Sequence, residues 1–198
     1  MDEQRALEEV EFLKRIIEDS KRSVLYNGKD FIFWGILVIT GMLLTYVFVQ
    51  SHIYINYVII WAVLIPVGWF FSLYNRKSLK RSYPKTFPGR IIAGIWGVNG
   101  VVMTIIGFVG PFSHLINGYA ISPLLCLIMG GAYYLTGLVL ESKWVRWLSI
   151  GWWLGGILLF FVTSINQFLI MIFLMLFFQT IPGIIFYMNY KQKTEAGS

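Results

Sequence analysis

Six apolar windows, at 31–50, 54–74, 90–110, 120–140, 147–165 and 168–188, constrain this chain more than any other feature. Each approaches the roughly 20 residues that a helix needs to cross the hydrocarbon core of a bilayer. Their interiors hold no Asp, Glu, Lys or Arg, and Arg90 marks the edge of the third. The whole chain of 198 residues is 57% hydrophobic and only 13% charged, too apolar for a domain dissolved in water. A soluble enzyme, a nucleic-acid-binding globule and a disulfide-stapled secreted domain are therefore excluded. The single cysteine, Cys126, lies within an apolar run and offers neither a disulfide nor a cysteine-rich metal site. The first apolar stretch begins behind a Glu-rich segment rather than a short basic one, so the N-terminus is expected to be retained.

Basic residues orient the windows. Of the 16 Lys and Arg, six precede the first window, six lie at 75–90, two at 141–146 and two follow the last window. The remaining connections carry none. Because basic residues in short loops stay cytoplasmic, both termini are expected inside and three charge-free turns outside. The expected fold is all-α. A cytoplasmic amphipathic helix and lead-in occupy 1–30, a polytopic membrane domain of six transmembrane helices occupies 31–188, and a short cytoplasmic tail covers 189–198. Short outer turns make consecutive spans antiparallel neighbours, hence three hairpins. The hairpins resemble one another: Ser51-His52 and Ser113-His114 open two outer turns, and Trp34-Gly35, Trp96-Gly97 and Trp152-Trp153-Leu154-Gly155 open the three hairpins. A triplicated unit and a convergent interfacial composition both account for this pattern.

Helices in lipid associate through small residues and polar contacts. Gly89, Ala93, Gly97, Gly100, Thr104 and Gly107 fall on one stripe of the third span, and Gly151 and Gly155 form a small pair in the fifth. The third helix is thus expected to be the most buried. Pro66 and Pro182 lie inside spans, where each frees the carbonyl four residues earlier and sets a kink. Trp34, Trp69, Trp96, Trp144, Trp147 and Trp152 fall near the inner ends, where interfacial anchoring is expected.

Intramembrane ionisable groups mark proton relays and ion sites, and these spans have none. HExxH, Gly-x-Ser-x-Gly and phosphate-cradling loops are also missing, so no enzyme, cofactor or catalytic residue is indicated. Uncharged polar residues do occur at depth. Thr40, Asn99, Tyr133, Tyr134, Gln179 and Thr180 fall near one level and form a candidate polar layer, either as interhelical glue or as a ligand or permeation site. His52 and His114 occupy equivalent outer turns but supply only two ligands to any metal.

Residues 3–26 have the periodicity of an amphipathic helix, with Leu7, Val10, Leu13 and Ile17 on its apolar face. Arg76, Lys77, Lys80, Arg81, Lys85 and Arg90 form a basic connection suited to anionic lipids or to the acidic leading helix. The stretch from Leu7-Glu8-Glu9-Val10 to Glu18-Asp19-Ser20, followed by Phe33-Trp34-Gly35, resembles a loosely defined group of uncharacterised bacterial six-helix membrane proteins with a short cytoplasmic leading helix. That resemblance implies a bacterial inner membrane and lends no catalytic residue. The expected function is interaction: the leading helix and basic loop bind a cytoplasmic protein or mediate homo-oligomerisation, without nucleic acid. The rival expectation is a small carrier, channel or substrate-binding membrane subunit for a neutral or hydrophobic solute, using the polar layer.

Overall fold

A computed structural model of the chain describes residues 5, 7–12, 28–52, 57–80, 87–113 and 116–195, and all regular structure among them is helical. The helices are α1 (Gly28–Gln50), α2 (Tyr57–Lys80), α3 (Phe87–Ser113), α4 (Gly118–Val139), α5 (Lys143–Phe160), α6 (Asn166–Met175) and α7 (Ile181–Glu195). A π-helical turn, Leu176–Thr180, joins α6 to α7, so these three segments run as one rod.

Five helices are long and apolar enough to cross a membrane: α1, α2, α3, α4 and the α6–α7 rod. The 147–165 window does not fold over its whole length. Helix α5 begins earlier, after Ser142, and ends at Phe160, giving 18 residues, about 27 Å at 1.5 Å per residue. It opens with Lys143 and Arg146 in its first turn and carries four tryptophans, which lowers its apolar character relative to the other helices.

The packing divides the helices into two groups. The tightest pair is α4 with α5, linked by a turn in which Ser142 N–H bonds Gly137 O at 2.9 Å and Glu141 N–H bonds Leu138 O at 3.1 Å. That Schellman arrangement requires the residue after the helix to enter the left-handed region, and Glu141 does so with φ 52°. The two helices run antiparallel, since Gly137 lies against Arg146, Gly130 against Trp153 and Gly156 against Pro123. Helix α1 is likewise antiparallel to the α6–α7 rod, with Gly28 against Tyr187, Gly35 against Thr180 and Gly183 against Phe31. Glycine at these positions removes the side chain that would hold the backbones apart. Between the two pairs lies the core, formed by Phe31, Tyr133, Trp152, Met171 and their neighbours.

Helices α2 and α3 lie at the edge of this core, to which α3 contributes Ile92. Contrary to the expectation for the third span, α3 is one of the least buried helices, with only Pro88, Ile92 and Gly110 fully buried. A Cβ added at Gly94, Gly97 or Gly107 would meet nothing within 4 Å. Small residues permit a close approach but do not by themselves supply the atoms that make one, and here the stripe lies open at Gly97 and Gly107 while Gly100 receives Trp69.

Four of the expected interfacial tryptophans point into the protein instead. Trp34 Nε1 donates to Ser72 Oγ at 2.8 Å, Trp69 Nε1 to Thr104 Oγ1 at 3.2 Å and Trp96 Nε1 to Thr136 Oγ1 at 3.1 Å. These bonds tie α1 to α2, α2 to α3 and α3 to α4. Trp152 Nε1 donates to Phe178 O at 3.3 Å. Thr104 and Thr136 pass their own hydroxyl protons to Gly100 O and Ala132 O, each at 2.7 Å, so each hydroxyl oxygen is left as the acceptor for an indole. The physical reason is donor demand: an indole N–H in an apolar interior must be paired. Trp144 and Trp147 are exposed, as an anchoring role requires.

Thr136→Val keeps the shape and removes the acceptor for Trp96. It is expected to destabilise the bundle by about 0.6–2 kcal/mol, measured by reversible unfolding in mixed micelles. Combined with Trp96→Phe, it should cost less than the sum of the two single changes, because the second removes a donor already unpaired.

Candidate functional site

The outward displacement of α2 and α3 leaves a cleft of about 630 Å³ between α1, α2, α3, α4 and α6. A volume of that size lies within the range of small-molecule sites. The cleft runs nearly the length of the bundle, from Asp30, Ser72 and Leu73 at one end to Val49, Asn117 and Tyr119 at the other. Along α1 the distance from Asp30 to Val49 is about 28 Å at 1.5 Å per residue, close to the thickness of a bilayer's hydrocarbon core.

Its walls are built from three kinds of residue. Trp34, Trp61, Trp69 and Trp96 supply aromatic surface, and Met42, Met103, Met129, Met171 and Met175 supply flexible, polarizable side chains that fit irregular apolar shapes. The stripe of α3 supplies Ala93, Gly97, Gly100, Thr104 and Gly107. The stripe read in the sequence as a packing face is therefore a cleft wall. Trp69 spans the gap, resting on Gly100 and bonding Thr104.

The polar layer is brought together only in part. Tyr133 O–H donates to Gln179 Oε1 at 2.6 Å, both residues being buried. Gln179 Nε2 reaches Phe31 O at 3.5 Å, and Gln179 also borders the cleft. Thr180 sits against Gly35 and bonds Met175 O at 3.1 Å. The other three lie elsewhere. Thr40 is exposed and bonds Ile36 O at 2.9 Å, Asn99 bonds Ile95 O at 2.8 Å within its own helix, and Tyr134 is exposed beside Trp153. Equal counting from an assumed membrane edge fixes a level but not an azimuth, so residues at one depth face different directions.

Gly151 and Gly155 receive the side chains of Phe178 and Leu174, joining α5 to the last rod. Gly89 and Ala93 are half-buried. Pro66 is exposed on α2, whereas Pro182 is fully buried directly after the π turn. Arg90 is exposed. Arg81 and Lys85, the side chains of Arg76, Lys77 and Lys80, and His114 lie outside the described residues. His52 is exposed at the end of α1 with φ 54°, and no group of three possible metal ligands occurs among the described residues.

Three residues not singled out in the sequence prove central. Pro123 lies in α4 and frees Tyr119 O. Gln167 Nε2 donates to that carbonyl at 2.7 Å and lies 3.3 Å from Leu159 O at the end of α5. Pro182 frees Phe178 O in the same way, and Trp152 supplies its donor. Each proline defect is thus repaired by a side chain from another helix. Asp30, one residue before the first apolar window, is the only formally charged residue bordering the cleft among the described residues. Its Oδ1 accepts from Asn75 Nδ2 at 2.7 Å. A proline within a span and an amide near the mouth of a neighbouring span were the signals available for the first pair.

Comparison with protein-family models, with curated proteins and with solved structures finds no match for this chain.

Gln167→Leu strands the Tyr119 carbonyl and is expected to cost about 1–3 kcal/mol of stability. Pro123→Ala restores a backbone N–H to the same carbonyl. Thermal denaturation should therefore show the double variant recovering much of the loss that Gln167→Leu causes alone.

Proposed function

We propose that this chain is a non-enzymatic integral membrane protein that binds a long hydrophobic solute in the cleft, as a carrier or as a substrate-binding membrane subunit. The observation that carries the reading is an apolar cleft of about 630 Å³ whose α3 wall opens at Gly97 and Gly107, where an added Cβ would meet nothing within 4 Å. Methionine and tryptophan walls suit an elongated apolar guest and offer few fixed hydrogen bonds.

The same reading includes six crossings, with α5 as the fifth, in a bacterial inner membrane. Both termini lie on the cytoplasmic side, in accord with the basic residues, which also favour anionic lipid there. The three hairpins are supported by one recurring device. The tryptophan that opens each hairpin, Trp34, Trp96 or Trp152, donates to an acceptor on the helix that closes it.

A second reading, interaction through the leading helix, is favoured by Leu7, Val10 and Phe12, which are helical and 63%, 49% and 64% exposed. The rest of that helix, residues 13–26, lies outside the described residues. On this reading, removal of residues 1–26 lowers the oligomeric mass measured by light scattering while leaving helicity unchanged.

For the cleft, Gly97→Leu and Gly107→Leu are decisive, because each new side chain enters open space and replaces glycine by a better helix former, worth up to about 1 kcal/mol. Stability should hold or rise. Saturable quenching of tryptophan fluorescence by a terminally brominated undecanol, seen in the parent protein reconstituted in nanodiscs, should fall severalfold in both variants. Undiminished quenching would refute the site.

A further inference from the structure

We infer that the solute of this cleft is a long-chain alcohol, held by a neutral hydroxyl head between Ser122 and Gln167. The inference rests on the cleft reading and adds the chemistry of one end. Three buried polar residues from α1, α4 and α6 border that end: Thr45, Ser122 and Gln167, which are 2%, 5% and 2% exposed. Among the described residues, no group pairs with Ser122 Oγ and none donates to Gln167 Oε1. Every fully buried side-chain oxygen or nitrogen among the described residues has a partner, so these two unpaired oxygens keep surface open to the cleft that their residues border. The donor side of the Gln167 amide sets its direction. Nε2 lies 2.7, 3.3 and 3.4 Å from Tyr119 O, Leu159 O and Val162 O, so the acceptor Oε1 points away from those carbonyls. Thr45 repeats the device of Thr104 and Thr136. Its hydroxyl proton turns back to Gly41 O at 2.7 Å, which leaves the oxygen as an acceptor, here with no indole among the described residues donating to it.

Contacts between helices put the three residues at one level. Helix α4 runs alongside the terminal rod, with Tyr119 O at Gln167, Cys126 Sγ 3.6 Å from Met171 Sδ and Tyr133 at Gln179, so Ser122 lies within one turn of Gln167. Helix α1 runs the other way. With Gly35 against Thr180, Thr45 falls level with Ile170, which lies as far before Thr180 as Thr45 lies beyond Gly35. That level is about 5 Å from Gln167 along the rod.

Together the three side chains offer two acceptors and one hydroxyl that both donates and accepts. A guest hydroxyl matches this set, donating to Gln167 Oε1 and accepting from Ser122 Oγ. An anionic head brings lone pairs against the lone pairs of Gln167 and Thr45. A cationic head meets acceptors but no counter-charge, because the connections at this end, 51–56, 114–117 and 161–165, contain no Asp, Glu, Lys or Arg, and an ion buried without a partner is strongly penalised. An alkane end leaves the oxygens of Ser122 and Gln167 both dehydrated and unpaired, at a cost in free energy.

The test uses full-length protein in nanodiscs of zwitterionic lipid at pH 8. Four probes share one terminally brominated undecyl tail and carry a hydroxyl, methyl, trimethylammonium or sulfate head. Their concentrations are expressed as mole fractions in the bilayer, so that partitioning into lipid does not enter. From the level of Thr45 the tail runs along α1 towards Trp34, about 16 Å away, which brings the bromine among Trp34, Trp69 and Trp96 of the cleft wall. The expected result is saturable quenching of tryptophan fluorescence by the hydroxyl probe at about tenfold lower mole fraction than the methyl probe, with the two charged probes weakest. Ser122→Ala removes a hydroxyl without a partner among the described residues, and Thr45→Val keeps the shape of its side chain. Together they should remove most of the hydroxyl advantage and leave the methyl probe unchanged. Equal binding of hydroxyl and methyl heads, preference for either charged head, or a hydroxyl advantage that survives the double variant would overturn the alcohol assignment while leaving the cleft reading intact. Absence of saturable quenching by every probe would overturn the cleft reading itself. The comparison of heads on the parent protein decides the matter even if the double variant does not fold.

Discussion

The interior of a membrane protein has no water to complete an unfinished hydrogen bond, and that demand organises the whole bundle. Indole N–H groups are the most numerous donors at its helix contacts, and serine, threonine and backbone oxygens receive them. Where threonine is the acceptor, the hydroxyl proton is turned back onto the carbonyl of the preceding turn. The oxygen then presents its lone pairs outward in a fixed direction. A weak helix former in isolation becomes a directional socket. Two such sockets, with Ser72 as a third indole acceptor, run successively from α1 to α4, and the geometry of the cleft follows where they sit.

The same accounting governs the proline defects. In a water-soluble helix a carbonyl freed by proline turns to solvent. In α4 and in the terminal rod it turns to an amide or an indole from α5 or α6, so each defect becomes a contact between helices. The π turn before Pro182 adds to this. It brings Gln179 and Thr180 to the face that meets Tyr133, Phe31 and Gly35, so the irregular stretch holds the polar centre of the core.

Much of the helical layout was legible because hydrocarbon imposes length and apolarity directly on the sequence. The long apolar windows gave the starts of their helices to within a few residues, although α2 and α7 run on past theirs to Lys80 and Glu195, and the exception is α5. There the charged and tryptophan-rich start moved the helix toward Lys143. The pairing of Tyr133 with Gln179 was within reach of a depth count, while Thr40 and Tyr134 at similar depth face away. Periodicity says which residues share a face, and nothing in it says which neighbour that face meets. For this reason periodicity assigns the glycine stripe of α3 to contact, although Gly97 and Gly107 border space. Position along a span likewise assigns the tryptophans to the interface, although four of them bond inward. Asp30 escaped notice because a window defined by the absence of charge necessarily stops short of it.

The bond between Gln179 and the Phe31 carbonyl joins residues 148 positions apart, and Gly28 and Gly35 of α1 lie against Tyr187 and Thr180 of the terminal rod. During synthesis the first helix therefore waits for the last. Until the terminal rod has left the ribosome, α1 has only α2 against it on the protein side, while α4 and α5 can already pair through their short turn. A chain truncated before Leu176 would retain that hairpin and lose the clasp between its two ends, which makes the C-terminal rod the keystone of assembly as well as a wall of the core.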